Sequence, residues 1–219
     1  MAKSVREYNS EEMKLGRLTW RHLEQLIRYW QAQHGVRVDG KAGPITRSTL
    51  EPTQPSQLAL AVVTRVLAEK GNGEGDGHNN SGPDVARYKR VKHVPGKRMS
   101  GSWCAWFASY ILTEALREVH GSTVVWRVGG AKKLVRTLGE SDVGEPVDWT
   151  QGVIPGDFVA WDRGAPGGWE GHVGIVVAAS DESGRFAYVD GNVGRYPALV
   201  KERHGRLSDR RIELVARPV

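Results

Sequence analysis

The chain has 219 residues, 39% apolar and 26% charged, with 31 Lys and Arg against 25 Asp and Glu, a formal net charge of +6. That length holds one medium domain or a small module beside a medium one. Its composition excludes a disordered or collagen-like chain, and no apolar run approaches the roughly 18 residues of a membrane span. A single cysteine excludes an intramolecular disulfide and a cysteine-rich zinc cluster. Glycine is abundant, with 27 residues, and there are eight tryptophans.

The first residues, 1–14, are polar and charged and read as a tail. They lack the apolar stretch of a secretory signal, so delivery outside the cell is expected to need another route. Leu23, Leu26, Ile27 and Trp30 share one helical face, with Gly35 as a stop. Asp39-Gly40 signals a turn, and Gly43-Pro44 places a proline where a short helix can begin. Two prolines in EPTQPSQ mark the approach to a linker, taken as 54–57. Ser56 can then cap a helix carrying Leu60, Val63, Val66 and Leu67 as far as Gly71.

The run GNGEGDGHNNSG has no periodicity and reads as a loop, either a connector or a surface where backbone approaches a substrate. Arg87, Lys89, Arg90, Lys92, Lys97 and Arg98 form a local basic excess, read as a solvated loop with attraction to a polyanion as the alternative. A helix beginning at Ser102 carries Cys104, Ala108, Ile111, Leu112, Ala115, Leu116 and Val119 on its apolar side. A shorter helix covers Ala131 to Leu138. The period then changes to two, with strands at Asp157–Trp161, His172–Ala178, Phe186–Asp190, Leu199–Arg203 and Ile212–Ala216. Helices followed by strands indicate an α+β domain on an antiparallel sheet of about five strands.

Cys104 falls in the first turn of its helix, where the dipole and unpaired N–H groups favour a thiolate and can hold an oxyanion. An inert buried cysteine fits the same apolar stripe. His172 follows a glycine-rich loop and opens a strand, flanked by Gly171 and Gly174, which are expected to leave space around its ring. There it can act as a general base. Asn192, after the next strand, can orient the imidazole, and Asp190 can do so equally. A zinc site from His78, His172 and Cys104 has no close ligand pair to support it, so no metal or other cofactor is expected.

SGSWCAWFASYIL, PGDFVAW, GHVGIVV and the closing GN, in that order, resemble the CHAP and NlpC-type papain-like cysteine amidohydrolases and peptidases over about residues 58–217. The resemblance implies a papain-like domain over 58–219, with Cys104 as nucleophile, His172 as base and Asn192, or else Asp190, as orienting residue. It also implies a cleft contacted by Glu74, Asn79, Trp103 and Trp169. Residues 15–53 are similar to a small helical peptidoglycan-binding module through Trp30-Gln31, Gly35, Val38-Asp39-Gly40, Gly43-Pro44, Thr46 and Leu50. Trp30, Asp39, Gly40, Gly43 and Thr46 are its expected wall contacts. Together the two resemblances imply a monomeric, endolysin-like peptidoglycan hydrolase that cuts an amide through a cysteine acyl-enzyme. It would act on the bacterial wall without nucleic-acid or membrane partners. An injected effector with the same chemistry, or an inactive wall-binding protein, are the alternatives.

Overall fold

A computed structural model describes residues 5–33, 35, 37–43, 46, 54–164, 168–181 and 183–219. The chain divides into two compact units, Met1–Thr53 and Gln54–Val219.

The first unit contains α1 (Val5–Lys14) and α2 (Trp20–Gln33). The segment read as a tail is thus largely helical, and after its end the Arg17 guanidinium grips the Glu12 carboxylate at 2.7 and 2.8 Å. On α2, Leu23, Ile27 and Trp30 are half-buried, whereas Leu26 is exposed, contrary to the expected stripe. The fully buried residue is the polar Gln31. Its Oε1 accepts from the backbone N–H of Asp39 (3.0 Å) and Gly40 (2.8 Å). Its Nε2 reaches Asp39 Oδ1 and Thr46 Oγ1, each at 2.9 Å.

A buried amide requires such partners. Asp39, Gly40 and Thr46, the expected wall contacts, all hydrogen-bond to Gln31. Gly43 and Trp30 are half-buried. The short helix expected from Pro44, and Leu50, lie outside the described residues.

The second unit has four α-helices among its described residues: α3 (Gln57–Ala68), α4 (Pro83–Lys89), α5 (Cys104–His120) and α6 (Ala131–Gly139). Its strands are β1 (Gly144–Pro146), β2 (Phe158–Asp162), β3 (Gly171–Ala178), β4 (Arg185–Val193), β5 (Leu199–Arg206) and β6 (Ile212–Pro218). They form one antiparallel sheet in the order β1-β6-β2-β3-β4-β5. The fold is α+β as expected, with a sixth strand. β1 is a three-residue edge strand on β6, without apolar alternation of its own.

Helix α5 follows its 3.6-residue apolar period, buries Phe107, Ala108, Ile111, Leu112 and Ala115, and ends at Gly121 in the left-handed region. It packs on β3 and β4, with α3 against its flank. Ser56 caps α3 by accepting from the Ala59 N–H at 3.0 Å. The inward residues of α3 are Leu58, Val62 and Val66, so Leu60 and Leu67, expected inside, are exposed. Alternation divides the sheet between two cores. Phe158, Ala160, Val173, Ile175 and Val189 join the core with the helices. Val159, Trp161, Val176, Phe186 and Tyr188 form the opposite core with Val153 and Trp149. No described helix is long and apolar enough to cross a membrane.

Asp157, from the PGD sequence, is fully buried just before β2. Arg217 of β6 grips it through two hydrogen bonds of 2.8 and 3.0 Å, and the Ile154 N–H donates to it at 2.9 Å. Burial pushes its carboxyl up despite this pairing. Substituting Arg217→Met leaves that charge uncompensated and is expected to cost about 3–5 kcal/mol in urea unfolding at neutral pH. An unpaired buried carboxylate has its folded pKa raised further above the unfolded one. The loss should therefore be smallest below the unfolded carboxyl range and grow as pH rises through the folded pKa.

Candidate active site

Antiparallel pairing places the start of β3 and the end of β4 at one end of the sheet, and α5 begins there. Cys104 is the first helical residue, two positions after the expected start, preceded by Trp103, whose side chain provides no cap. The first-turn N–H groups are therefore left without a side-chain cap. Trp103 was expected in the cleft but is fully buried. It stacks on Tyr88 (ring centroids 5.6 Å apart) and meets Phe107 edge-on. Its ring seats against β4 at Gly191, where a Cβ would come within 2.5 Å of the indole.

Glu74 is the second correction among the expected cleft residues. It is buried, and its carboxylate accepts from Trp103 Nε1 (3.2 Å), Asn80 N–H (2.6 Å) and Ala198 N–H (2.8 Å). It clamps the residue before the cysteine to the loop of residues 71–82 and to the approach of β5. Asn79 lies exposed in that loop, and Trp169 is 86% exposed before β3. Residues 165–167 of the loop leading to His172 lie outside the described residues.

His172 and Asp190 meet across β3 and β4. His172 Nε2 lies 2.6 Å from Asp190 Oδ2, with both side chains buried. A carboxylate only accepts, so Nε2 carries the proton and Nδ1 is left for the thiol. Nδ1 is buried, with no hydrogen-bond partner among the described residues. The imidazole and Cys104 nevertheless stand close enough to shift each other. Burial pushes the thiol up, but the neighbouring His172 and its positive charge outweigh this and hold the thiol below its ordinary range. Ser102 and, at longer range, Arg163 add to the lowering. Burial pushes His172 down, yet its hydrogen bond to Asp190 and the neighbouring Cys104 leave it above its ordinary range. The shifts favour a thiolate beside an imidazolium, the state in which cysteine is a nucleophile.

Of the two candidates for the orienting position, Asp190 is the one that contacts the imidazole. Register on β4 breaks between Asp190 and Val193, and Asn192 takes a left-handed backbone with φ 64°. The break turns Asn192 away from the ring. Its Nδ2 donates to Ser102 Oγ at 2.5 Å, and that oxygen lies 3.7 Å from Cys104 Sγ. Gly174 also differs from expectation. A Cβ there would run into the Tyr188 ring at 2.5 Å, so its missing side chain makes room for Tyr188 and not for the imidazole.

Sequence reasoning missed Ser102, whose place two residues before the cysteine was the available signal. It also missed Arg203, whose Nη2 lies 2.6 Å from the Tyr188 hydroxyl and 3.2 Å from Asp190 Oδ2. Arg203 faces this site only through the register of β5 on β4. Among the described residues no group of three or more His, Cys, Asp and Glu side chains could hold a metal ion.

Residues 96–192 match the model of the CHAP domain. Among solved structures, the chain is similar to the wild-type endolysin LysIME-EF1, with 18% identity and a TM-score of 0.46. The match covers 73% of this chain and spans 63% of that endolysin's chain. None of the curated proteins compared matches the chain.

These titrations predict that iodoacetamide alkylates Cys104 at pH values below the ordinary thiol range. In Asp190→Asn, burial lowers His172, the imidazolium is lost, and the onset of alkylation should move to higher pH. Asn192→Ala, which acts through Ser102, should move it less. A larger shift in the Asn192 variant would reverse the assignment of the orienting residue.

Proposed function

We propose that this protein is a cysteine-dependent peptidoglycan hydrolase of the endolysin kind, cutting an amide of the stem peptide or the muramoyl–alanine amide. The observation that carries this reading is the buried Cys104–His172–Asp190 array at the N-terminus of α5, within the segment that matches the CHAP domain. Asp190 holds His172 with Nδ1 towards the thiol. The Cys104 thiolate attacks the amide carbon, and the first-turn N–H groups receive the oxyanion. Collapse of the tetrahedral intermediate breaks the C–N bond, and the imidazolium gives its proton to the leaving amine. His172 then takes a proton from water, which attacks the thioester, and the carboxylic acid departs as the thiol is restored.

Residues 15–53 act as a wall-binding module. Tethering raises the concentration of the catalytic unit at the polymer without adding catalytic contacts. The enzyme reaches the wall by release from a lysing cell or by delivery.

Zymography on purified cell walls tests the reading. Wild type should clear the gel. Cys104→Ala should lose clearing by at least about 10³-fold, and Asp190→Asn should lose about 10²–10⁴-fold. Equal clearing by wild type and Cys104→Ala would remove the nucleophile assignment, whereas clearing by neither would favour a wall-binding protein. Mass spectrometry of the released fragments identifies the bond.

A further inference from the structure

On the sheet face opposite α5, a cavity of about 310 Å³ opens beside the catalytic centre. Trp161, Arg163, His172, Tyr188, Arg203 and Arg211 line it. Its size suits a ligand side group, and His172 borders both this cavity and the reacting thiol.

The charges around it are unequally committed. Asp162 on its wall is paired with Lys132 at 2.7 Å, a cation it shares with Glu213. Asp209 is held by Arg211 at 2.8 Å, and Asp190 is shared by His172 and Arg203. Arg203 is further tied to Tyr188, standing over its ring with the guanidinium carbon 5.3 Å from the centroid. Arg163 is different. It is exposed at the end of β2, and its side chain makes no ion pair among the described residues. The acidic groups of the cavity are therefore satisfied without it, and one guanidinium remains for an anion from outside. A guanidinium presents a planar fork that matches a carboxylate.

We propose that this cavity is a carboxylate subsite, in which Arg163 receives a free carboxylate of the substrate peptide adjoining the scissile amide. The inference rests on the hydrolase reading above and names a determinant of its specificity. The bound carboxylate anchors the peptide beside His172, and a carboxamide at the same position lacks the charge that Arg163 selects.

The test uses the full chain and a series of soluble muramyl peptides in which each carboxylate is amidated in turn. Wild type should lose about 10- to 100-fold in kcat/KM when one particular carboxylate is amidated, most of it in KM. Arg163→Gln should cut the free and amidated forms of that peptide at nearly equal rates, and Arg163→Lys should keep part of the preference. Each comparison is a ratio within one enzyme, so any change in the Cys104 thiol caused by losing the nearby cation cancels. A wild type indifferent to every amidation, or an Arg163→Gln enzyme with the full preference, would overturn the subsite while leaving the hydrolase reading in place. A folded wild type that cuts no peptide of the series and clears no wall would overturn both.

Discussion

Asp190 is fully buried near the end of a strand, and a carboxylate in that position must be met by cations and donors or neutralised. Its two partners come from neighbouring strands, His172 from β3 and Arg203 from β5. Three consequences follow from that one requirement. The imidazole is held by Nε2, which leaves Nδ1 without a hydrogen-bond partner among the described residues. Arg203 is drawn inward over Tyr188 and closes one wall of the cavity beside the site. The pairing of β4 with both neighbours also acquires a polar register mark in addition to its apolar alternation, because a slip of one residue would leave three charged groups unmatched.

The other half of the site is held by a different polar anchor. A helix N-terminus with an uncapped first turn is a costly end to place near a protein interior unless something fixes it. Here Glu74 binds the indole N–H of Trp103 and the backbone N–H groups of Asn80 and Ala198. Lys89 Nζ contacts the carbonyls of Ser100 and Gly101 at 2.9 and 2.8 Å. The chain entering α5 is thus held from both sides by buried charges, while Gly191 lets the indole lie against β4. Cys104 and His172 come together at the end of the sheet where α5 begins. Their alignment depends on these anchors as much as on the core of α5.

Placement was legible in the sequence where residue type and local position decide it. Cys104 at a helix start and His172 at a strand start were both readable, and so were five strands with clear alternation. Legibility failed where long-range register or burial decides. Asp190 and Asn192 are two residues apart and equal candidates on paper; a bulge between Asp190 and Val193, set by pairing with β5, turns only one to the imidazole. Glu74 and Trp103 were expected in the cleft from the resemblance, yet they satisfy each other in the interior. Asp39, Gly40 and Thr46 were recognisable as a pattern, but their common partner, the buried amide of Gln31, is invisible until α2 and the turn are placed together. Helix α4 has no long apolar period, and Tyr88 and Val85 become its inner face only against α5.

The same contrast governs the net positive charge. Read along the chain, the excess is densest between residues 87 and 98, and that run looks like the place to meet an anionic partner. Folding spends much of it internally. Arg87 binds Glu69 at 2.7 Å, Arg90 binds Glu114 at 2.8 Å, and Lys89 is buried on backbone carbonyls. A buried or paired cation cannot also attract a distant polymer with its full charge, because its field is largely cancelled by its partner. Arg163, between Asp162 and Gly164 in sequence, makes no ion pair among the described residues, whereas Asp162 is paired with Lys132. Charge available for recognition is therefore set by what each cation is paired with in the fold: Lys92, Lys97 and Arg98 of the run stay exposed, as does Arg163 at the cavity that His172 lines.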